Sequence, residues 1–228
     1  MIAKKKKLSR KQIQEDKLVT FYSKSLELFE EHKQKIIIGV GIIALIIFGV
    51  FWYINKVEED NLEASKELAK VMPIYNAGSY QEAIDGRPGT TVVGLKEIVK
   101  NYGSTEQGEE AKIFLANSYY YLGKYEEARK YYNDYSGDND ILKAAAFAGI
   151  AACYEAENKY DMAAEFYEKA ANVSQTNALN PEYLLNAGIN YISANNKSKA
   201  KQLLLSVKDK YKNTIYFRDA NRYLAELS

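Results

Sequence analysis

Apolar and polar positions divide the chain into three stretches. From Gln12 onward, Leu18, Phe21, Tyr22, Leu26 and Phe29 recur at helical spacing, which predicts an amphipathic helix. Ile36 to Ile54 then reads IIIGVGIIALIIFGVFWYI, 19 residues without a charge. As a helix this block spans about 28 Å, close to the thickness of a bilayer's hydrocarbon core. No polar face interrupts it, so a membrane span fits better than a buried core helix. Beyond Asn55, apolar residues return at spacings of three and four, broken by short polar turns.

Those turns repeat. GSYQEA (78–83), GKYEEA (123–128), NKYDMA (158–163) and NKSKA (196–200) end on Ala83, Ala128, Ala163 and Ala200. The last two intervals are 35 and 37 residues, and the first is 45, which predicts an insertion. In the second unit, Ala116, Tyr119, Gly123, Tyr125, Ala128 and Tyr132 run small, aromatic, turn, aromatic, small, aromatic. The third repeats this with Ala151, Tyr154, Asn158, Tyr160, Ala163 and Tyr167. The fourth has Gly188, Tyr191, Asn195, Ala200 and Leu204. The order and period resemble the tetratricopeptide repeat, a helical hairpin of 34 residues that stacks into a solenoid. Small residues let the paired helices approach, and Gly or Asn supplies the positive φ that ends each first helix. Most of the 20 tyrosines are thereby assigned to packing between hairpins.

Residues 84–110 are irregular. DGRPG breaks the first unit's second helix, which is expected to resume over Thr91 to Tyr102 with Leu95, Ile98 and Val99 on one face. The segment reads as a connector or as a partner-binding lip. A last helix, about Thr214 to Leu227, has an apolar side and a side with Arg218, Asp219, Arg222 and Glu226, which suits a solenoid cap. The expected class is all-α: an N-terminal transmembrane helix, then an α-solenoid of about four hairpins and a C-terminal capping helix. The expected divisions are 1–35, 36–54 and 55–228.

Charge orients the span. Residues 1–35 hold ten Lys/Arg and five acids, among them the cluster Lys4 to Lys7, while only Lys56, Lys66 and Lys70 lie in the twenty residues after the span. The positive-inside rule puts the N-terminus in the cytoplasm and the repeats outside. The long head, and the lack of a small-residue cleavage motif after the span, predict an uncleaved signal anchor. The head helix lies on membrane lipid or docks on a partner. Gly39, Gly41 and Gly49 do not form a GxxxG dimer motif.

Composition narrows the chemistry. One histidine and one cysteine argue against a metal site, a disulfide framework or a catalytic triad, and no cofactor is expected. A formal net charge of +1 gives no nucleic-acid footprint. The acid pairs Glu109/Glu110 and Glu126/Glu127 fall on expected solvated faces, and Cys153 reads as a small buried hydrophobe. The chain is therefore not expected to be an enzyme. A protein-binding groove is expected on the first helices of the hairpins, lined by Tyr75, Asn117, Tyr120, Glu155, Ile189 and Ile192. Such a mixed surface suits unfolded or extended client polypeptide. The tail-binding mode of cytosolic tetratricopeptide domains needs a Lys where Ile113 stands, and Ala145 and Gly149 replace the next unit's polar pair.

The order of head, span and repeats, with ELFEEHKQK (27–35), DNLEASKELAKVMPIYNAGSYQEAI (60–84) and DKYKNTIYFRDANRYLAEL (209–227), resembles the YfgM-like ancillary subunits of the SecYEG translocon, in their Bacteroidetes-type form. The resemblance implies a single-pass protein of the bacterial inner membrane with a periplasmic repeat domain. It implies an accessory to the Sec translocon that helps recruit periplasmic chaperones during protein transport. It also implies SecYEG and a membrane-anchored prolyl isomerase of the PpiD kind as partners, and no catalytic residues. The alternative is an envelope-assembly scaffold serving outer-membrane or cell-wall machinery. Similar repeats occur in outer-membrane assembly lipoproteins, but no lipobox cysteine is found here.

Overall fold

A computed structural model describes residues 10–227, with side chains at 17 and from 19 on; Lys4 to Lys7 and the side chain of Leu18 lie outside the described residues. Ten helices follow in order: α1 (Arg10–Asn76), α2 (Tyr80–Asp85), α3 (Leu95–Tyr102), α4 (Glu106–Tyr121), α5 (Tyr125–Asn133), α6 (Asp140–Ala156), α7 (Tyr160–Asn172), α8 (Asn180–Ser193), α9 (Lys197–Lys210) and α10 (Ile215–Glu226). The described residues contain no named strand. The chain divides into two compact units, one through Lys56 and one from Val57.

Among the described residues, the first unit is a stretch of α1. Every residue from 40 to 56 is exposed. Ile46, Phe48 and Trp52 are 59%, 71% and 63% exposed, so the apolar run is bare on all sides. A water-facing helix of this composition is unfavourable, because each large apolar side chain left in water forgoes about 1.5–3 kcal/mol of burial. By length and composition, this helix is sufficient to cross a membrane. A Cβ added at Gly39, Gly41 or Gly49 would meet nothing.

The second unit is a run of helical hairpins in which chain neighbours pack on one another from α2 to α10. Its first helix is the end of α1, where Ala64, Leu68, Val71 and Ile74 bury one stripe. The four hairpin turns share one geometry. Gly78, Gly123, Asn158 and Asn195 have φ of 77°, 73°, 59° and 62°. In each, the turn residue and its successor donate back to the helix. Gly123 N–H reaches the Tyr120 carbonyl at 2.9 Å, and Lys124 N–H reaches that of Tyr119 at 2.9 Å. Asn195 and Asn196 do the same to Ile192 and Tyr191 at 2.9 and 2.7 Å. This is the Schellman closure, which requires a left-handed residue at the turn.

The seams lie where the sequence puts small residues. Ala83, Ala128, Ala163 and Ala200 are fully buried, as are Ala116 and Ala151. Tyr119, Tyr132, Tyr167 and Tyr191 are buried between helices. Leucine in place of Ala128 or Ala163 is expected to lower stability by about 1–3 kcal/mol through overpacking. A thermal melt of the full chain in detergent measures this. Equal melting of Ala128→Leu, Ala163→Leu and a Glu127→Leu surface control would contradict the register.

Three expectations change. First, α3 starts at Leu95 rather than Thr91. Gly86 pairs with Val93 in an isolated antiparallel bridge, and Arg87 N–H donates to the Val92 carbonyl at 3.1 Å, so 91–93 stay out of the helix. Gly86 has φ 83°, and a Cβ at Gly94 would come within 2.2 Å of the Ile84 carbonyl oxygen, so both glycines are required where the two arms of the loop meet. Second, α10 spans Ile215–Glu226, slightly shorter than expected. Its Ala220 is buried, and Tyr216, Tyr223 and Leu224 pack with Leu185, Leu204 and Val207, closing the last hairpin.

Third, Glu109 is not on a solvated face. Glu126 and Glu127 are exposed, but Glu109 is 7% exposed. Lys112, 6% exposed, donates to it at 2.8 Å, and the Ser136 N–H and hydroxyl donate at 2.8 and 2.7 Å. Lys112 also donates to the Asp134 carbonyl at 3.0 Å, so the pair fastens the α5–α6 connection to α4.

Candidate protein-binding groove

The groove residues named above sit on the first helices of successive hairpins: Tyr75 on α1, Asn117 and Tyr120 on α4, Glu155 on α6, Ile189 and Ile192 on α8. All six are half-buried. Tyr75 and Asn117 are joined directly, the Asn117 amide donating to the Tyr75 hydroxyl at 3.3 Å. The Asn117 oxygen accepts from the Tyr132 hydroxyl at 2.5 Å, so one asparagine links α1, α4 and α5. Burial raises the Tyr75 hydroxyl's pKa against the lowering effect of Asn117.

Around this link the rings run continuously. Tyr75 meets Phe114 and Tyr80 edge-on at 5.1 and 5.6 Å between centroids, and Tyr80 stacks on Tyr121 at 4.6 Å. Tyr120 lies 5.7 Å from both Tyr121 and Tyr125. Edge-on and stacked pairs at these separations contribute beyond burial alone. Tyr121 is 59% exposed, so the aromatic run reaches the surface. Burial raises the Tyr120 hydroxyl's pKa, with smaller contributions from Tyr125, Cys153 and Glu155.

On α6, the Glu155 carboxylate accepts from the Tyr167 hydroxyl of α7 at 3.0 Å. On α8, Glu182 accepts from the Tyr216 hydroxyl of α10 at 2.7 Å. First helices thus carry the acceptors Asn117, Glu155 and Glu182, each held by a tyrosine hydroxyl from a later helix. Ile189 and Ile192 belong elsewhere: they pack on the apolar cluster of Leu185, Leu204, Val207 and Ala220 beside the cap. The structure therefore brings Tyr75, Asn117 and Tyr120 into one polar-aromatic region, joins Glu155 to Tyr167 at the α6–α7 seam, and puts the two isoleucines beside the cap.

Sequence reasoning assigned Tyr132 and Tyr167 to packing alone and passed over Glu182 and Tyr216. The signal was the 35-residue spacing of Tyr132 and Tyr167, each beside a polar residue on the preceding helix. The missing polar pair of the tail-binding mode also has a steric cause. A Cβ at Gly149 would fall 2.2 Å from the Tyr132 ring, so that position is filled by the ring whose hydroxyl holds Asn117. Cys153 is fully buried, and burial pushes its thiol pKa up to about 12, the state of an inert thiol.

Compared with known families, residues 27–182 match the tetratricopeptide repeat-like domain, and residues 182–214 match a tetratricopeptide repeat. The first match begins ahead of Ile36, so the apolar stretch falls inside it. No curated protein gives a match. Domains of this kind are typically non-catalytic scaffolds that bind other proteins.

Proposed function

Because the chain belongs to the tetratricopeptide repeat-like domain family, we propose that it is a membrane-anchored adaptor whose repeat groove holds an extended segment of another protein. The reading rests on one observation above others: a bare 19-residue apolar helix precedes the repeats within the same family match. Anchoring keeps the groove near its partner and raises the effective concentration without any new contact. The excess of bases ahead of the span supports a cytoplasmic N-terminus and a periplasmic domain at the inner membrane, residues 55–228 by the sequence divisions. The resemblance to YfgM-like subunits supports the Sec translocon and a PpiD-like prolyl isomerase as partners, with aid to export and chaperone recruitment as the outcome. Tyr75, Asn117, Tyr120, Glu155, Ile189 and Ile192 are the proposed lining.

The test is photo-crosslinking in intact cells from a residue at position 120, alongside labelling of single cysteines by an impermeant reagent. Labelling at position 60 from outside, and crosslinks to translocon subunits, are expected. Charging the lining with Tyr120→Glu and Ile189→Glu is expected to cut the yield about tenfold, because an unpaired charge in an apolar contact costs several kcal/mol. Labelling at position 20 instead, or crosslinks to outer-membrane or cell-wall machinery, would reject the translocon reading.

A further inference from the structure

Two carboxylates on the first helices of the hairpins lack a cationic partner among the described residues. Glu155 and Glu182 are half-buried on α6 and α8, and neither takes part in an ion pair among the described residues. Each has one oxygen occupied by a tyrosine hydroxyl, Glu155 by Tyr167 and Glu182 by Tyr216. Buried Glu109 is matched by Lys112 and half-buried Glu157 by Arg129, each at 2.8 Å, whereas half-buried Glu168 on α7 is held, like Glu155 and Glu182, by a tyrosine hydroxyl, that of Tyr191. Glu155 and Glu182 stand on successive first helices of the stack, the former at the α6–α7 seam through Tyr167 and the latter at the α8–α10 contact through Tyr216.

Helices α4, α6 and α8 carry six carboxylates against two lysines, and those lysines are elsewhere engaged or outward: Lys112 is paired with Glu109, and Lys143 is exposed beside Lys169. The second helices α5, α7 and α9 carry six carboxylates against eight Lys/Arg. Each of the three first helices is therefore net acidic, whereas among the second helices α5 is balanced, α7 is net acidic and α9 alone is net basic. A half-buried carboxylate with a free oxygen is stabilised by a charge-assisted hydrogen bond that the fold itself does not supply.

We infer that the segment bound in this groove is a basic one, an extended polypeptide whose lysine or arginine side chains pair with Glu155 and Glu182 while its apolar side chains lie on the Tyr75–Tyr120 rings. This rests on the adaptor reading above and specifies its partner. It reverses the charge sense of a groove that takes a C-terminal carboxylate. Electrostatic complementarity of this kind sets which partner is accepted more than how tightly any partner binds.

The test uses the full chain in lipid nanodiscs and two short fluorescent peptides, identical except that one carries lysines where the other carries glutamates. Binding is read by anisotropy. The lysine peptide is expected to bind about tenfold tighter, the worth of one or two charge-assisted hydrogen bonds. The double variant Glu155→Gln with Glu182→Gln is expected to erase that preference. Glutamine keeps an acceptor oxygen for each tyrosine hydroxyl, and an unchanged melt establishes that the fold is intact. Glu165→Gln, exposed on α7, is expected to leave the preference untouched. Equal binding of both peptides, with loss of both on Tyr120→Glu, would overturn the basic-segment inference and leave the adaptor reading standing. So would a preference that Glu165→Gln reduces as much as the double variant does. Binding of neither peptide would overturn both.

Discussion

Replacement of Glu109 by alanine is expected to lower the stability of the repeat region by about 3 kcal/mol, near the low end of the cost of leaving one member of a buried ion pair alone. Lys112 would keep its ammonium in a site only 6% exposed, with the Asp134 carbonyl at 3.0 Å and the Asp134 carboxylate at 3.6 Å as its remaining partners. Those partners are why the cost sits at the low end. The Ser136 N–H and hydroxyl would also lose their acceptor, freeing the α5–α6 connection. In a thermal melt of the full chain the midpoint should fall by about 6–12 °C. Substitution of both partners by apolar residues, Glu109→Leu with Lys112→Met, should cost much less, since no buried charge is then stranded. A double variant as unstable as Glu109→Ala would mean the pair does more than neutralise itself.

The same site makes stability depend on pH. Burial alone would raise the Glu109 carboxyl's pKa, but the hydrogen bonds from Lys112 and Ser136 outweigh it and hold the group below the ordinary glutamate value. A group with a lowered folded pKa contributes stability that is fully present above its unfolded pKa of about 4.3. That contribution is lost as pH falls through the lower, folded value. The wild-type midpoint should therefore drop more steeply between about pH 5 and pH 3 than that of Glu109→Gln. Parallel pH profiles for the two would place the acid sensitivity elsewhere.

How much of this was legible in the sequence depends on the range of each interaction. The turns were legible because a positive φ is a local demand: Gly78, Gly123, Asn158 and Asn195 meet it at the positions read from the repeat. The seam alanines were legible for a similar reason, since their spacing is fixed by the helix. The start of α3 was not. Thr91, Val92 and Val93 are compatible with helix or extended backbone, and the choice was made by Gly86, several residues upstream, through the Val93 bridge. Glu109 and Glu110 look alike as neighbours, yet Glu109, Lys112, Ala116 and Tyr119 fall on one stripe at spacings of three and four. That stripe is the buried one, so the signal existed and was masked by reading the acids as a pair. In the candidate groove, the residue types on the first helices were legible, but their partners were not. Asn117 reaches Tyr75 across 42 residues and Glu182 reaches Tyr216 across 34, and no local pattern encodes such a pairing.

Gly108→Ala is the other substitution expected to be severe, at about 3 kcal/mol or more of lost stability. On helix propensity alone the change should help, since alanine is favoured over glycine within a helix by about 1 kcal/mol. Here the backbone forbids it. A Cβ at Gly108 would stand 1.8 Å from the Tyr102 carbonyl oxygen, 2.4 Å from that carbonyl carbon and 2.9 Å from the Gly103 nitrogen. None of these is a side-chain atom that could rotate aside, so the end of α3 and the start of α4 would have to separate. Separation would also break the cap in which the Thr105 hydroxyl accepts from the Gly108 N–H at 3.1 Å. It would draw Leu95 and Ile98 out of the core they share with Ala111 and Leu115. Gly41→Ala is the matched control, also a helical glycine, but one whose Cβ would meet nothing. It should leave the melt of the repeat region unchanged, while Gly108→Ala lowers it by several degrees or more. If Gly108→Ala instead melted at or above the wild-type temperature, the close crossing of α3 and α4 would be wrong, and with it the path of the insertion that separates the first hairpin from the second.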